Sequence, residues 1–258
     1  MTKVNENPAE ALPSSSILLI RDHKGVLEVL MQQRPLTMHF AAGAYVFPGG
    51  KVDEADYHAS WSAMAGYSLG KDDAYKVSVI RELYEETGIL LTSRGKTAAK
   101  REASALEFAK TLSTEGHTVD LDRLVPFSNW VTPTPLPRRY DTVFYLAKAP
   151  SNQDFGDESS ETIKTLWVNP HSILSAWERD EIPLMFPTRL NLVKLAQETT
   201  VEAALKLAKE TPLYKVLPSL ESVDGVRKVR IPLAAGYGVE EATERELQVE
   251  STIKSSKL

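Results

Sequence analysis

The chain has 258 residues, 42% hydrophobic and 25% charged, and against roughly 150 residues per domain this predicts one large, elaborated domain. Its 30 Lys and Arg against 35 Asp and Glu leave a formal charge of −5, which argues against a nucleic acid or an anionic membrane surface as partner but not against a local basic pocket. With no cysteine, disulfide frameworks, thiolate metal sites and cysteine nucleophiles are excluded.

Residues 1–13 read as a disordered, polar N-terminal segment without the apolar stretch of a signal peptide. The first apolar run, Ile17 to Ile20, is far shorter than the ~20 residues a membrane span needs, so a soluble protein is expected. Ser15 to Arg21 and Leu27 to Gln33 flank the turn-forming Asp22-His23-Lys24-Gly25 and predict a hairpin. Gly43 to Gly50 is a third extended piece ending in Phe47-Pro48-Gly49-Gly50, where proline and two glycines forbid helix. Residues 54–72 are mixed and predict an inserted loop or short helix. From Asp73 to Thr87 the spacing becomes helical, with an aspartate at the N-cap and Gly88 just past the end. A second helix is predicted over Glu102 to Thr114. Strands follow at Trp130-Val131 and Thr142 to Ala147, joined by the proline-rich link Thr132 to Arg139. Leu166 to Val168 predicts a short strand, and Pro170 suits the first turn of a helix running to about Arg179. Beyond Pro187 come one or two helices through Glu210, a last strand over Val226 to Ile231, and a polar tail.

The helix from Asp73 to Thr87 is the most informative element. At about 100° per residue, Val77, Val79, Ile80, Leu83 and Tyr84 share one side, which predicts core. Glu82, Glu85 and Glu86 gather on the other side with Ser78. Like charges so placed repel, and they call for either solvation or a cation that gains from them.

The run Arg81-Glu82-Leu83-Tyr84-Glu85-Glu86-Thr87-Gly88-Ile89, preceded by Phe47-Pro48-Gly49-Gly50, resembles the signature of the Nudix hydrolase superfamily. In that signature a glycine loop leads to a helix bearing R-E-U-x-E-E-x-G-U, with U a bulky apolar residue. The first half of the pattern has a glycine, five residues, a glutamate, and seven more before the arginine. Here it departs: Asp73 falls at the acidic position and Gly50 lies too far upstream. An insertion would explain this, with Asp53, Glu54 or Asp56 as the alternative acid. The resemblance implies an α/β fold with a mixed β-sheet sandwiched between α-helices. It implies a Nudix domain over 14–190, with an insertion at about 54–72, and a C-terminal helical extension over 191–258 packed on it.

Cleaving a diphosphate requires phosphate charge to be neutralised and hydroxide to form near neutral pH, and divalent cations on oxygen ligands do both. The resemblance therefore implies Mg²⁺ or Mn²⁺ held by Glu82, Glu85 and Glu86, with Glu85 catalytic and Arg81 orienting a glutamate by a charge-assisted hydrogen bond. Gly49 and Gly50 would let the backbone approach metals or phosphates. For the catalytic base the resemblance implies a glutamate in the acidic loop before Leu166-Trp167-Val168, with Glu161 the first choice and Glu158 the second.

The stretch from Arg34 through Pro35 and His39 to Phe47-Pro48-Gly49-Gly50 is similar in spacing to the motif of coenzyme A diphosphatases. Pro35 stands where serine or alanine is usual, and His39 where a second arginine is usual. Trp130-Val131-Thr132-Pro133, Arg138 to Thr142, and Phe186 to Arg189 look like the peroxisomal branch of those enzymes and its bacterial relatives. Such an enzyme would convert coenzyme A or an acyl derivative to 3′,5′-ADP and (acyl) phosphopantetheine. Arg34, His39, Gly49, Gly50, Arg138 and Arg139 are then the expected substrate contacts. Arg138 and Arg139 have a second reading, as ion-pair partners of Asp141 or a core carboxylate, and Trp130 and Phe186 are either adenine platforms or core. The alternatives are the same chemistry on ADP-ribose or a dinucleotide, or a nucleotide sensor that does not cleave. The expected partner is a small nucleoside diphosphate derivative. Ser256-Lys257-Leu258 matches the tripeptide read by the peroxisomal import receptor, so a eukaryotic source implies the peroxisomal matrix and any other the cytoplasm.

Overall fold

A computed structural model describes residues 9–37, 41–134, 136–151, 153, 164–223, 226–243 and 245–247. Strands β1 (Ala11–His23) and β2 (Val26–Gln33) form the expected antiparallel hairpin, turning at Lys24 and Gly25, both at positive φ. Short strands β3 (Tyr45–Val46) and β4 (Gly49–Lys51) precede a 3₁₀ turn at Glu54–Tyr57 and helix α1 (Ala59–Ala65). Helices α2 (Asp73–Thr87) and α3 (Ala105–Thr114) follow, then strands β5 (Val125–Val131), β6 (Arg139–Lys148) and β7 (Lys164–Val168). The chain continues through α4 (Pro170–Glu178), α5 (Phe186–Leu195) and α6 (Val201–Glu210) to β8 (Lys215–Val216), β9 (Ser219–Val223) and β10 (Val226–Arg230).

The main sheet runs β3-β2-β1-β6-β5-β8, with β4 also on β1 and β7 also on β2. It is mixed: β1 pairs in parallel with β6 and antiparallel with β2 and β4. Ile17, Leu18, Leu19 and Ile20 are wholly buried, because β1 is central and covered on both faces. Side chains alternate across a strand, so Ile17 and Leu19 join Leu30 and Tyr145 beneath α1, α2 and α3. Leu18 and Ile20 join Met31 and Leu146 on the other face, beneath α4, α5 and α6. This is the sandwich expected from the sequence.

Three expectations change. Residues 11–13, expected in an irregular N-terminal segment, are strand, paired with Arg139, Tyr140 and Asp141 of β6. The insertion is part of the core: α1 buries Trp61 and Met64, and Trp61 meets Phe108 of α3 with ring centroids 6.1 Å apart. Trp130 and Phe186 are core, packed edge to face at 5.9 Å, which removes the adenine-platform reading. Strands β8 and β9 carry no strand signal in the sequence, because one is two residues long and the other, Ser-Leu-Glu-Ser-Val, has no apolar run. The segment after β10 is fastened by a buried ion pair, Arg189 Nε to Glu246 Oε1 at 2.5 Å.

Helix α3 starts at Ser104, whose hydroxyl accepts the Glu107 N–H at 3.3 Å. Ser104→Ala is expected to cost about 1 kcal/mol, read as a lower urea midpoint at unchanged slope.

Candidate active site

Helix α2 lies over β1 and β4. Its C-terminus is closed by Gly88 at φ +77°, whose N–H bonds the Tyr84 carbonyl at 2.8 Å. Val77, Val79, Ile80 and Leu83 are buried as expected, and Tyr84 is half-buried, stacked on Phe108 at 5.2 Å. The opposite side is buried too: Ser78 is wholly enclosed and donates to the Lys51 carbonyl at 3.2 Å. Asp72 holds the N-cap position but makes no side-chain cap bond. The Asp73 carboxylate instead accepts the Gly70 N–H at 2.9 Å.

Arg81 organises the site. Its Nε and Nη2 grip the two carboxylate oxygens of Asp56 at 2.9 and 2.8 Å, a bidentate fork between side chains only 5% and 0% exposed. Nη2 also donates to the Lys51 carbonyl at 2.9 Å. Nη1 donates to Glu82 at 2.7 Å and reaches Glu85 at 3.3 and 3.4 Å. Arg81 thus orients glutamates, as expected, but its main partner is Asp56. Asp56 is itself fixed by the 3₁₀ turn, where it accepts the Asp53 N–H at 2.8 Å. The acidic position of the motif therefore belongs to Asp56 and not to Asp73. Five residues separate Gly50 from Asp56, as the pattern requires, and the insertion falls wholly between Asp56 and Arg81.

The glycines press the loop onto the helix and the sheet. Gly49 has φ +155°, and a β-carbon there would stand 2.3 Å from the Ser15 carbonyl oxygen. A β-carbon on Gly50 would stand 2.4 Å from the Glu82 carboxylate. The Gly49 N–H bonds Glu86 Oε2 at 3.1 Å.

Burial, with like charge around them, raises all three glutamates above the usual carboxylate range. For Glu82, burial and the charges of Asp56 and Asp53 outweigh the pull of Arg81. Glu85 is raised by burial and by Glu82, again against Arg81. Glu86 is pushed up to about 8 by burial, then by Glu82 and Glu85, while the Gly49 N–H and the charge of Arg34 act against the shift. Burial works against the charge of Arg81, but the hydrogen bonds and charge of Asp56, with Glu82 behind it, hold it above its ordinary value.

Of the expected substrate contacts, Arg34 is half-buried and close enough for its charge to act on Glu86. Its backbone closes the loop before β3, through Arg34 N–H to the Ala44 carbonyl and Gly43 N–H to the Arg34 carbonyl. Arg138 is exposed just before β6. Arg139 neither pairs with Asp141 nor stands open to phosphates through Nε and Nη1: these bond the carbonyls of Thr132 and Ala9 at 3.0 and 2.7 Å. Asp141 pairs with Lys215. His39, Glu158, Glu161 and Ser256 to Leu258 lie outside the described residues.

Among the described residues, no three acidic or histidine side chains converge on one point as metal ligands would. Arg81 stands between Glu82 and Glu85, and Glu86 faces Gly49. The donor set nonetheless fits a hard divalent cation, being all oxygen and carrying like-charge crowding that a cation relieves. The contacts of Glu85 to Arg81 are the longest of the group, so it is the carboxylate most easily turned outward. No helix among the described residues is long and apolar enough to cross a membrane.

The family model described as the NUDT19 Nudix domain matches residues 62–195. Putative nudix hydrolase 7 of Caenorhabditis elegans is 28% identical over 190 residues, covering 71% of this chain and 60% of that one. Acyl-coenzyme A diphosphatase NUDT19 of Gallus gallus is 25% identical over 247 residues, covering 72% and 65%. The chain thus spans less than two thirds of the length of these relatives. The crystal structure of a NUDIX hydrolase from Alicyclobacillus acidocaldarius superposes with a TM-score of 0.63 and 27% identity, covering 79% of this chain and 99% of that one.

Proposed function

The chain belongs to the NUDT19 Nudix family, and on that premise we propose that it is a metal-dependent diphosphatase acting on coenzyme A or acyl-coenzyme A. The products are then 3′,5′-ADP and (acyl) phosphopantetheine. The observation that carries the chemistry is the crowding of Glu82, Glu85 and Glu86 on one helix face, locked from beneath by Arg81 and Asp56 and closed above by Gly49 and Gly50. Support for the substrate comes from the relatives named acyl-coenzyme A diphosphatase, and from Arg34 standing near Glu86 at the motif position for a phosphate contact.

Each residue has a task that follows from its contacts. Asp56 fixes Arg81, and Arg81 fixes Glu82 while holding Glu85 loosely. The Gly49 amide holds Glu86 against the loop. Glu82, Glu85 and Glu86 are the groups that would hold Mg²⁺ or Mn²⁺, which would supply neutralisation of diphosphate charge and a lowered pKa of water at the site. Arg34 and Arg138 supply donors for the remaining phosphate oxygens.

The test is to incubate the protein with Mg²⁺ and coenzyme A, acyl-coenzyme A, ADP-ribose or a dinucleotide, and to separate the products by chromatography. Coenzyme A or its acyl form is expected to be consumed about tenfold faster or more, about 1.4 kcal/mol in transition-state binding. Faster cleavage of ADP-ribose would replace the substrate while keeping the chemistry. Tight nucleotide binding without turnover of any compound would make the protein a sensor.

A further inference from the structure

A cavity lies across the sheet from α2. It has about 130 Å³ of free volume, many times the roughly 10–15 Å³ one water needs, and is bounded by β5, α5, α6 and the turn at Leu233–Ala235, with a mouth open to solvent at Gln197, Pro212 and Tyr214. Phe127, Ser128, Lys194, Gln197, Thr211 and Tyr237 supply its polar and aromatic wall.

Lys194 is the unusual group. The register of β5 on β6 shifts between Pro126 and Ser128, and the half-buried Lys194 donates to the Phe127 carbonyl at that point, at 2.6 Å. Its Nζ also sits 4.3 Å from the centroid of the Phe127 ring. These contacts use one N–H and one side of an ammonium that has three donors. The buried Arg81 and Arg189 each hold a carboxylate, but no acidic residue is among the described residues lining this cavity. Burial alone, with no opposing charge to offset it, pulls the Lys194 ammonium below the usual lysine range. A half-buried ammonium at the wall of a cavity, with no acidic side chain among the described residues that line it, is an arrangement that an anion completes.

We propose that this cavity is a second binding site, separate from the carboxylate site, that takes a small oxyanion with Lys194 as its counter-ion. Phosphate and a short carboxylate share the required chemistry: compact negative charge and several acceptor oxygens. The site is on the opposite face of the sheet from α2, so it stands whether or not the proposed hydrolysis does.

The test is thermal unfolding of the full chain without divalent metal, in inorganic phosphate, acetate or chloride at one ionic strength. Phosphate or acetate is expected to raise the midpoint over chloride by about 2–4 °C at saturation. The rise is expected to persist in Arg34→Gln, which weakens phosphate binding at the carboxylate site, and to vanish in Lys194→Met. A rise with phosphate alone identifies a phosphoryl ligand, and one with acetate alone a carboxylate. The same rise in Lys194→Met, or none over chloride with either anion, overturns the site. If Lys194→Met does not fold, ¹⁵N-lysine NMR of the unmodified chain decides, with the Lys194 ammonium signal assigned from its absence in Lys194→Arg. That signal is expected to move saturably with the anion, and a signal that stays put overturns the proposal.

Discussion

Asp56→Ala is expected to lower the thermal midpoint by roughly 6–12 °C and to remove hydrolytic activity with it. Removing one partner of a buried ion pair leaves an uncompensated charge in a poor solvent for it, at about 3–5 kcal/mol. Arg81 and Asp56 meet that description, with side chains 5% and 0% exposed and two parallel hydrogen bonds. The lower end applies, because Glu82 and Glu85 still face the same guanidinium. For a chain of this size ~3 kcal/mol corresponds to that shift, at 2–4 °C per kcal/mol. Asp73→Ala is the control. Among the described residues its carboxylate bonds the turn at Gly70 and makes a 4.0 Å contact with Lys76, so both stability and activity should stay near those of the unmodified chain. Scanning calorimetry and initial rates on the two variants settle which aspartate anchors the helix; equal midpoints would remove Asp56 from that role.

That contrast also shows where the sequence was legible. Glu82, Glu85 and Glu86 share a face because helical geometry is local, and nine consecutive residues were enough to see it. Gly88 was readable for the same reason, as a residue that reaches positive φ at a helix end without strain. Asp56 is only one of three alternatives to Asp73 in the sequence, because its partner lies 25 positions away and the chain between them folds back through α1. The signal was present in the five residues between Gly50 and Asp56. The same pattern taken back from Arg81 crosses the insertion and lands on Asp73. Nor does periodicity reveal that the acidic side of α2 is covered: Ser78 and Arg81 are buried by β4 and the 3₁₀ turn, which the local sequence of α2 does not mention. Arg139 is ambiguous in the sequence for a similar reason, since the carbonyl that its Nη1 meets belongs to Ala9, 130 positions earlier.

Glu85→Gln is expected to reduce Mg²⁺-dependent turnover by more than about 100-fold while leaving the midpoint nearly unchanged. The separation is possible because Glu85 is the least embedded of the three glutamates. Its side chain is 26% exposed and touches Arg81 only at 3.3 and 3.4 Å, so the pair contributes at most about 1 kcal/mol. Glutamine keeps the shape and one acceptor oxygen but loses the charge that a hard cation selects. Substitutions that merely orient a metal's ligands typically cost 10–100-fold, and removing a charged ligand should exceed that. The diagnostic readout is the Mg²⁺ concentration for half-maximal rate, which should rise in Glu85→Gln and stay fixed in Ser104→Ala, where a helix cap is lost and no carboxylate is touched. Near-normal turnover at unchanged Mg²⁺ dependence would withdraw Glu85 from the ligand set. Because the loss comes from the metal and not from recognition of the nucleotide, it should be the same whichever diphosphate the enzyme prefers, so this variant tests the chemistry independently of the substrate.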